Sequence, residues 1–418
     1  MRIFELTTTK SVKKVLVVTQ YFWPENFRVN ELVLELQNRG YIVEVLTSTP
    51  NYPRGKIFPD FASNPEKYND YFGVKIHRVP QILRSNNKIS LALNYFSFVI
   101  SACTYSCINL RKKSFDLIFG VQLSPIFSMI PAIVCKKIMR IPLYMWVLDV
   151  WPDSLIAAGV RSKLILTFLN RICVSIYSSA DILFLSSSGF ETKLKKMGVK
   201  LPKLVYFPQW IESDYFGKAS LDDPANRKVK QVISKYKDKV IFTFTGNIGE
   251  AQDFPSVLKG LKKCLSLNDI IILIIGDGRY KEKLIHNIQA QGLASNVFCL
   301  GEYSSSYMPY FYYHSDYLLL SLSDTPIFSY TLPGKVQSYM SSGKPLVGMV
   351  SGEASRVIKE AGCGYTVESS DYNGFSKILD YCCSLSMEER NKIGNMGKVY
   401  AYKNFRFENL VDKILQYF

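Results

Sequence analysis

The segment Tyr330–Gly352 combines residue types that suit the binding of an anion. Pro333 and Gly334 shape a loop, Lys335 falls in the predicted first turn of the following helix, and the whole segment contains no acidic side chain. A lysine at a helix N-terminus opposes the helix dipole, and an anion bound between the two removes that conflict. The pattern therefore predicts a diphosphate held by backbone N–H groups and one lysine.

Two glycine-rich segments follow predicted strands in the same half of the chain. TGNIGEAQD (Thr245–Asp253) opens a helix, and its Gly246 and Gly249 allow a ligand to approach the backbone closely, while IIGDGRY (Ile274–Tyr280) ends the next strand. Neither segment contains the G-x-G-x-x-G spacing of a dinucleotide site. Each could also be an ordinary tight turn between a strand and a helix.

The first half of the chain places polar residues at two further strand ends. Asp149 follows an apolar run and precedes Trp151 and Pro152, so it could be catalytic or could cap the segment. Asn26 and Arg28 stand where a predicted helix begins after a long loop. If the sheet is parallel, these residues lie at the carboxyl ends of its strands, where ligands bind.

The elements that must position these residues alternate between strands and helices along the whole chain. Short branched runs alternate with helical patterns, which predicts two Rossmann-like, doubly wound α/β domains that face a cleft. Strands are predicted at Lys14–Val18, Tyr41–Thr47, Val74–Arg78, Leu117–Val121, Leu143–Val147, Ile182–Leu185, Leu204–Phe207, Val240–Gly246, Ile270–Gly278, Val297–Gly301, Asp316–Ser321, Pro345–Val350 and Gly364–Val367. The predicted domains are 1–210 and 240–400, with a connection at 211–239 and a C-terminal helix at 401–418 that could pack back on the first domain.

The charge of the chain is concentrated in its first half. The formal net charge is +16, of which residues 1–210 hold +14 and residues 211–418 hold +2. The basic residues are scattered and not grouped with stacking aromatics, which favours an anionic membrane surface over nucleic acid, although a merely soluble basic surface remains open. The apolar segment Leu91–Ile108 has basic flanks and is predicted to be buried or interfacial, with a membrane span as the alternative.

The sequence predicts reduced cysteines and no metal site. The nine cysteines lack metal-type spacing, apart from an adjacent pair, and the three histidines are scattered. These features predict a cytoplasmic protein.

Several motifs together resemble glycosyltransferase family 4, whose members have the GT-B fold. The chain is most similar to the branch that builds bacterial O-antigen, capsule and colanic-acid-type polysaccharide, including L-fucosamine transferases. The motifs occur in order from Val15 to Val367: QYFWPENFRVNEL, LTSTPNYPRGKIF, LDVWPDS, FPQWIE, TGNIGEAQD, GDG, TLPGKVQSYMSSGKP and GCGYTV.

The resemblance implies a retaining, metal-independent transferase that uses a nucleotide sugar. Asp149 and Lys335 would be catalytic, Asn26 and Arg28 would line the acceptor side of the cleft, and the acceptor would be a glycan on a polyprenyl diphosphate. The implied donor-binding residues are Gly246, Asn247, Gly249, Gln252, Gly276, Tyr330, Thr331, Leu332, Pro333, Gly334 and Ser338. The protein would rest peripherally on the inner face of the plasma membrane.

The sequence departs from the family at five positions. The usual pair of glutamates falls at Tyr330 and Ser338, the usual arginine and lysine fall at Asn247 and Gln252, and Leu148 replaces a histidine before the aspartate. These substitutions affect the direct contacts to the donor sugar and ribose that the resemblance implies, whereas they leave the phosphate site unaffected. The predicted function is transfer of a sugar, with a UDP-linked N-acetylated amino or deoxy sugar favoured. A non-catalytic nucleotide-sugar-binding subunit and a nucleotide-sugar epimerase remain alternatives.

Overall fold

The chain divides into two units, each built on its own β-sheet. The computed structural model describes residues 13–53, 55–85, 87–153, 155, 160, 162–200, 202–211, 231 and 233–418. Unit 1 extends to Ser186 and includes Phe190–Phe207 and Ile414–Phe418, whereas unit 2 comprises Ser187–Gly189 and Pro208–Lys413. The predicted connection at 211–239 lies mostly outside the described residues.

Within the described residues, unit 1 is built on an eight-stranded sheet in the order β3-β4-β2-β1-β5-β6-β7-β8. All neighbouring strands are parallel except β3 and β4, which are antiparallel. The strands are β1 (Lys14–Val18), β2 (Ile42–Ser48), β3 (Asp70–Tyr71), β4 (Val74–Val79), β5 (Leu117–Gln122), β6 (Leu143–Val147), β7 (Ile182–Leu185) and β8 (Lys203–Tyr206). Most of their residues are apolar and buried, as expected for a parallel sheet covered by helices.

Helices connect the strands of unit 1. They are α1 (Arg28–Asn38), α2 (Pro59–Ser63), α3 (Lys88–Tyr105), α4 (Ile130–Met139), α5 (Lys163–Ser178) and α6 (Gly189–Met197), which continues from the Ser187–Gly189 segment of unit 2. A short 3-10 turn, Ile126–Met129, lies between β5 and α4.

Unit 2 contains a six-stranded parallel sheet in the order β11-β10-β9-β12-β13-β14. Its strands are β9 (Val240–Thr245), β10 (Ile270–Ile275), β11 (Val297–Gly301), β12 (Tyr317–Ser321), β13 (Leu346–Met349) and β14 (Gly364–Val367). Its helices are α7 (Phe254–Lys263), α8 (Lys281–Ala290), α9 (Met308–Tyr313), α10 (Pro326–Tyr330), α11 (Gly334–Ser341), α12 (Glu353–Ala361), α13 (Tyr372–Ser384), α14 (Met387–Asn404) and α15 (Phe407–Leu415), whose last two residues belong to unit 1. Because β9, β10 and β12 are adjacent and parallel, the loops that follow them meet at one edge of the sheet.

The predicted fold class of two doubly wound α/β domains is confirmed. All thirteen predicted strands are present with shifts of at most three residues, and the short antiparallel β3 was not predicted. The C-terminal helix predicted over 401–418 is wrong in its bounds. Because α14 continues to Asn404, the last helix is only Phe407–Leu415.

Candidate functional site

The two glycine-rich loops of unit 2 pack directly against each other. Gly246 follows β9 and Gly276 follows β10, and the Gly246 amide donates to the Ile275 carbonyl at 2.8 Å. Both glycines have positive φ values, of 119° and 147°. A Cβ at Gly276 would collide with the carbonyl oxygen of Gly246, so only glycine fits there.

Further backbone hydrogen bonds extend this contact. The Ile248 amide donates to the Asp277 carbonyl at 2.8 Å, and the Tyr280 amide donates to the Ile248 carbonyl at 3.0 Å. The Gln252 side-chain oxygen accepts from the Gly249 amide at 2.9 Å, so this atom of Gln252 stabilises the loop. Asn247 is exposed at the tip of the same loop.

Lys335 lies against the first glycine loop. Its Nζ is 3.9 Å from the centroid of the Phe244 ring, and a Cβ at Gly246 would come within 3.0 Å of that Nζ. Pro333 has φ −64° and ψ 137° at the N-cap of α11, which places Lys335 in the first helical turn as predicted. The structure therefore brings Gly246 together with Gly276 and with Lys335, which lie 30 and 89 positions after it in the sequence.

The ammonium group of Lys335 is in an unfavourable environment. The residue is half-buried, and burial lowers the pKa of Lys335 from 10.5 to about 7. In the part of the chain that the structure describes, no carboxylate forms an ion pair with it. A cation between a helix N-terminus and two glycine loops, with no acidic partner in reach, is suited to a phosphate group.

A buried tyrosine fixes helix α11 to the end of β9. The Thr245 amide donates to the Tyr339 hydroxyl at 2.9 Å, and the Thr245 hydroxyl lies 3.1 Å from the Tyr312 hydroxyl. Tyr339 is fully buried, and burial raises its pKa to about 12, so the phenol stays protonated. Val336, Tyr339 and Met340 form the predicted packing face, but the sequence did not reveal the hydrogen bonds of Tyr339.

The other predicted donor residues on this segment have defined positions. The Ser338 hydroxyl donates to the Gly334 carbonyl at 3.3 Å and is buried, and the Thr331 hydroxyl donates to the Ile327 carbonyl at 2.8 Å. Leu332 is buried in the core. These side-chain atoms therefore support the loop, and a ligand would meet the backbone of Pro333–Lys335.

The short segment Ser187–Gly189, which follows β7, contacts Tyr330 at the end of α10. The Ser187 hydroxyl donates to the Tyr330 carbonyl at 2.6 Å, and a Cβ at Gly189 would come within 2.7 Å of the same oxygen. The neighbouring Ser188 hydroxyl donates to Glu353 Oε1 at 2.6 Å. Spatial proximity assigns these three residues to unit 2, which the sequence order could not show.

Glu353 is a buried carboxylate that the sequence analysis missed. It is the first residue of α12 and accepts hydrogen bonds from Arg356, at 2.9 Å and 3.0 Å. Burial alone would raise its pKa, but the bonds from Arg356 and Ser188 hold the pKa of Glu353 below its usual value. The sequence did contain one indication of a structural role for Glu353, namely its position directly after Gly352 at the start of a helix.

In unit 1, Asp149 lies just beyond the end of β6. It is half-buried, and the Trp151 indole N–H donates to Asp149 Oδ2 at 3.2 Å and to Ser124 Oγ at 2.9 Å. The Tyr177 hydroxyl contacts the Asp149 carbonyl oxygen at 3.3 Å. The carboxylate is thus held at the strand end where a parallel sheet binds ligands.

Asp153, four residues after Asp149, forms an ion pair within unit 1. Its Oδ2 lies 2.6 Å from Lys193 Nζ, and it is buried. The paired carboxylate therefore contributes to packing in unit 1.

The loop after β1 contains the predicted acceptor residues and one carboxylate that was missed. Asn26 is exposed, and Arg28 is half-buried at the start of α1. Glu25 is buried and accepts from the backbone amides of Asn51 and Tyr52 at 2.8 Å and 2.6 Å. Burial raises the pKa of Glu25 to about 7 even though these amides oppose the shift.

The described residues were also considered for a metal site and for a membrane-spanning helix, with one result for each. No group of three or more His, Cys, Asp or Glu side chains could hold a metal ion within the described part of the chain. One helix there, Ile89–Leu110, is long and apolar enough to cross a membrane by length and composition, and only about a fifth of its most apolar stretch is buried inside the protein.

Comparison with known proteins identifies relatives of both the sequence and the fold. Residues 225–400 match the family described as glycosyl transferases group 1. The probable glycosyltransferase WbjE of Pseudomonas aeruginosa is 26% identical over 271 residues, which cover 63% of this chain and 65% of that protein. The match thus spans slightly less than two thirds of this curated relative.

Solved structures match nearly the whole chain. HepE from Anabaena, in complex with UDP and glucose, has a TM-score of 0.68 at 15% identity, covering 97% of this chain and 99% of that one. Sucrose-phosphate synthase from Thermosynechococcus elongatus has a TM-score of 0.73 at 13% identity, covering 97% and 98%. At these identities the matches establish the fold alone. The chain therefore has the GT-B fold, its segment 225–400 matches glycosyl transferases group 1, and these findings support a glycosyltransferase.

Proposed function

We propose that the protein is a retaining glycosyltransferase of bacterial surface polysaccharide biosynthesis. It would move a sugar from a nucleotide-sugar donor to a lipid-linked oligosaccharide of O-antigen or capsule. A UDP-linked N-acetylated amino or deoxy sugar, such as L-fucosamine, is the favoured donor. Support comes from the family match, from the name of WbjE and from HepE, whose structure contains UDP and glucose.

The observation that carries this proposal is the environment of Lys335. Its ammonium lies against Gly246 and the Phe244 ring, burial lowers its pKa to about 7, and no carboxylate among the described residues pairs with it. A nucleoside diphosphate would supply the missing negative charge. The site thus suits the leaving group, which develops charge as the glycosidic bond to the donor breaks.

The residues present suggest a division of labour for the transfer step. Lys335 and the amides of the Gly246 and Pro333–Lys335 loops would stabilise the departing diphosphate. The acceptor hydroxyl would pass its proton to the leaving phosphate oxygen on the same face of the sugar, which preserves the anomeric configuration. Asp149 of unit 1 would orient the acceptor. Metal independence remains part of this proposal.

The proposed acceptor is a glycan on a polyprenyl diphosphate at the inner leaflet. The sequence up to residue 210 holds +14 of the net charge, which suits an anionic surface. Helix α3 supports a peripheral contact better than a membrane span. Every fourth residue of this helix packs into unit 1, namely Asn94, Phe98 and Ala102, all fully buried.

The proposal is tested with purified protein and a set of UDP-, GDP- and dTDP-sugars. One nucleotide class should raise the melting temperature, because a ligand at about 100 times its Kd adds roughly 2.7 kcal/mol of stability. The same donor should then be turned over, by hydrolysis or by transfer to lipid extract. Binding without turnover under both conditions would favour the non-catalytic subunit, and interconversion of the free donor would favour an epimerase.

A further inference from the structure

Two helices of unit 1 present large apolar side chains to solvent. On α3, Ile89, Leu93, Phe96 and Ile100 recur at the spacing of one helical face and are 49–70% exposed. On α5, Leu164, Ile165 and Phe168 are 51–84% exposed. Monomeric proteins rarely expose contiguous apolar patches of this kind unless the patch binds something.

The two stripes belong to neighbouring elements. Both α3 and α5 pack against the 3-10 turn Ile126–Met129. The Phe96 ring lies 6.0 Å from the ring of Phe127 in that turn. We call the seven exposed side chains the apolar surface: Ile89, Leu93, Phe96, Ile100, Leu164, Ile165 and Phe168.

The two helices that carry this surface contain basic side chains and no acidic ones. Neither α3 nor α5 contains an aspartate or glutamate, whereas α5 begins with Lys163 and carries Arg171, and Arg111 and Lys112 follow the π-helical turn after α3. Apolar side chains flanked by cations match the acyl and headgroup layers of an anionic membrane. A protein partner would more often be matched by a rim of mixed charge.

The apolar surface is also connected to Asp149. The ring of the half-exposed Phe96 packs against the ring of Phe127, with their centroids 6.0 Å apart. The Phe127 ring in turn packs against Trp151, with a centroid distance of 6.1 Å. The Trp151 indole then donates to Asp149 at 3.2 Å. Two side chains, Phe127 and Trp151, therefore connect the apolar surface to the proposed catalytic aspartate.

We propose that α3 and α5 together form a single surface that docks unit 1 in the plane of an anionic lipid leaflet beside Asp149. This inference rests on the proposed function in naming a lipid-linked acceptor. It adds that membrane docking requires α5 as much as α3. It also adds that the head group of the lipid-linked acceptor reaches Asp149 without leaving the headgroup layer of the leaflet. The helices insert their apolar side chains shallowly, because the opposite face of α3 remains packed on the protein.

The test compares two double variants in co-sedimentation with vesicles of phosphatidylcholine and phosphatidylglycerol. Leu164→Ser with Phe168→Ser removes the apolar stripe of α5. Leu265→Ser with Val399→Ser is the matched control, since these unit 2 side chains are 92% and 62% exposed. Removal of two inserting side chains should weaken partitioning by at least about tenfold, and the control should bind as the wild type does.

Fold and donor site are monitored separately, by thermal melting and by the melting shift with UDP, which should be equal in all three proteins. Wild-type binding should fall in high salt and on phosphatidylcholine alone. Unchanged vesicle binding of the α5 variant would overturn the inference, as would a wild-type dimer that this variant dissociates. If neither high salt nor carbonate released the wild-type protein from vesicles, in-plane docking would be refuted and a membrane-spanning helix would be indicated. Vesicle docking with no sugar turnover would leave the inference intact and refute only the proposed function.

Discussion

Replacing Lys335 by methionine tests the donor site most directly. The methionine keeps a long apolar stem beside Phe244 and removes the ammonium. If that ammonium stabilises the leaving diphosphate, sugar transfer should fall by about 10²–10³-fold. The unliganded protein should at the same time become more stable, because an unpaired charge is no longer held in a half-buried site.

The size of the stabilisation follows from the pKa of Lys335. A pKa lowered from 10.5 to about 7 corresponds to a penalty of at most about 5 kcal/mol for the charged form. Lys335 is only half-buried, so solvent reduces this penalty. After that discount, we expect the variant to gain about 1–2 kcal/mol near pH 6.5.

The gain should depend on pH in a defined direction. The unfolded chain keeps the Lys335 proton up to about pH 10.5, whereas the folded protein releases it near pH 7. Between these values the unfolded state binds more protons, so the stability of the wild type rises with pH. The extra free energy of unfolding of Lys335→Met over the wild type should therefore be largest below pH 7 and should disappear as the pH approaches 10.5.

The assay measures melting at pH 6.5 and pH 10, UDP affinity and sugar turnover in wild type, Lys335→Met and Lys344→Met. Lys344 is a matched control, because burial also lowers its pKa but it lines a separate cavity at the other end of α11. Wild-type UDP affinity should weaken by roughly tenfold per pH unit above 7, since the diphosphate requires the charged lysine. Normal turnover in Lys335→Met, or an equal loss in Lys344→Met, would refute the assignment.

Three further substitutions test the elements around this site and in unit 1. Gly276→Ala should cost at least about 1 kcal/mol and abolish donor binding, because its φ is positive and its Cβ would meet the Gly246 carbonyl; an unchanged UDP melting shift would contradict this. Tyr339→Phe should destabilise unit 2 by about 1–3 kcal/mol, measured by denaturant unfolding, because the buried Thr245 amide loses its acceptor. A stability equal to wild type would show that the hydroxyl is dispensable. Asp149→Asn should reduce transfer while UDP affinity, measured by calorimetry, stays within about twofold of wild type. Loss of affinity with normal transfer per bound donor would reverse the proposed roles of the two units.

The strands and the position of the Pro333–Lys335 loop at a helix start were predictable because their signals are local. A buried parallel strand appears as a short branched run, and Pro333, Gly334 and Lys335 are adjacent in the sequence. The role of Glu25 was not predictable, since its partners, the Asn51 and Tyr52 amides, lie on another loop. Ser188 and Glu353 were missed for the same reason, as their hydrogen bond joins residues 165 positions apart.

The sequence by itself determined the alternation of strands and helices, the concentration of positive charge before residue 211 and the presence of a lysine at a helix start without nearby acids. These properties depend on neighbouring residues and on composition. Only the tertiary structure decided which strand ends meet, and hence that Gly246, Gly276 and Lys335 share one site whose burial lowers the lysine pKa. It also decided which apolar residues remain exposed. Periodicity identifies the apolar faces of α3 and α5, but only packing shows that the surrounding protein leaves them uncovered.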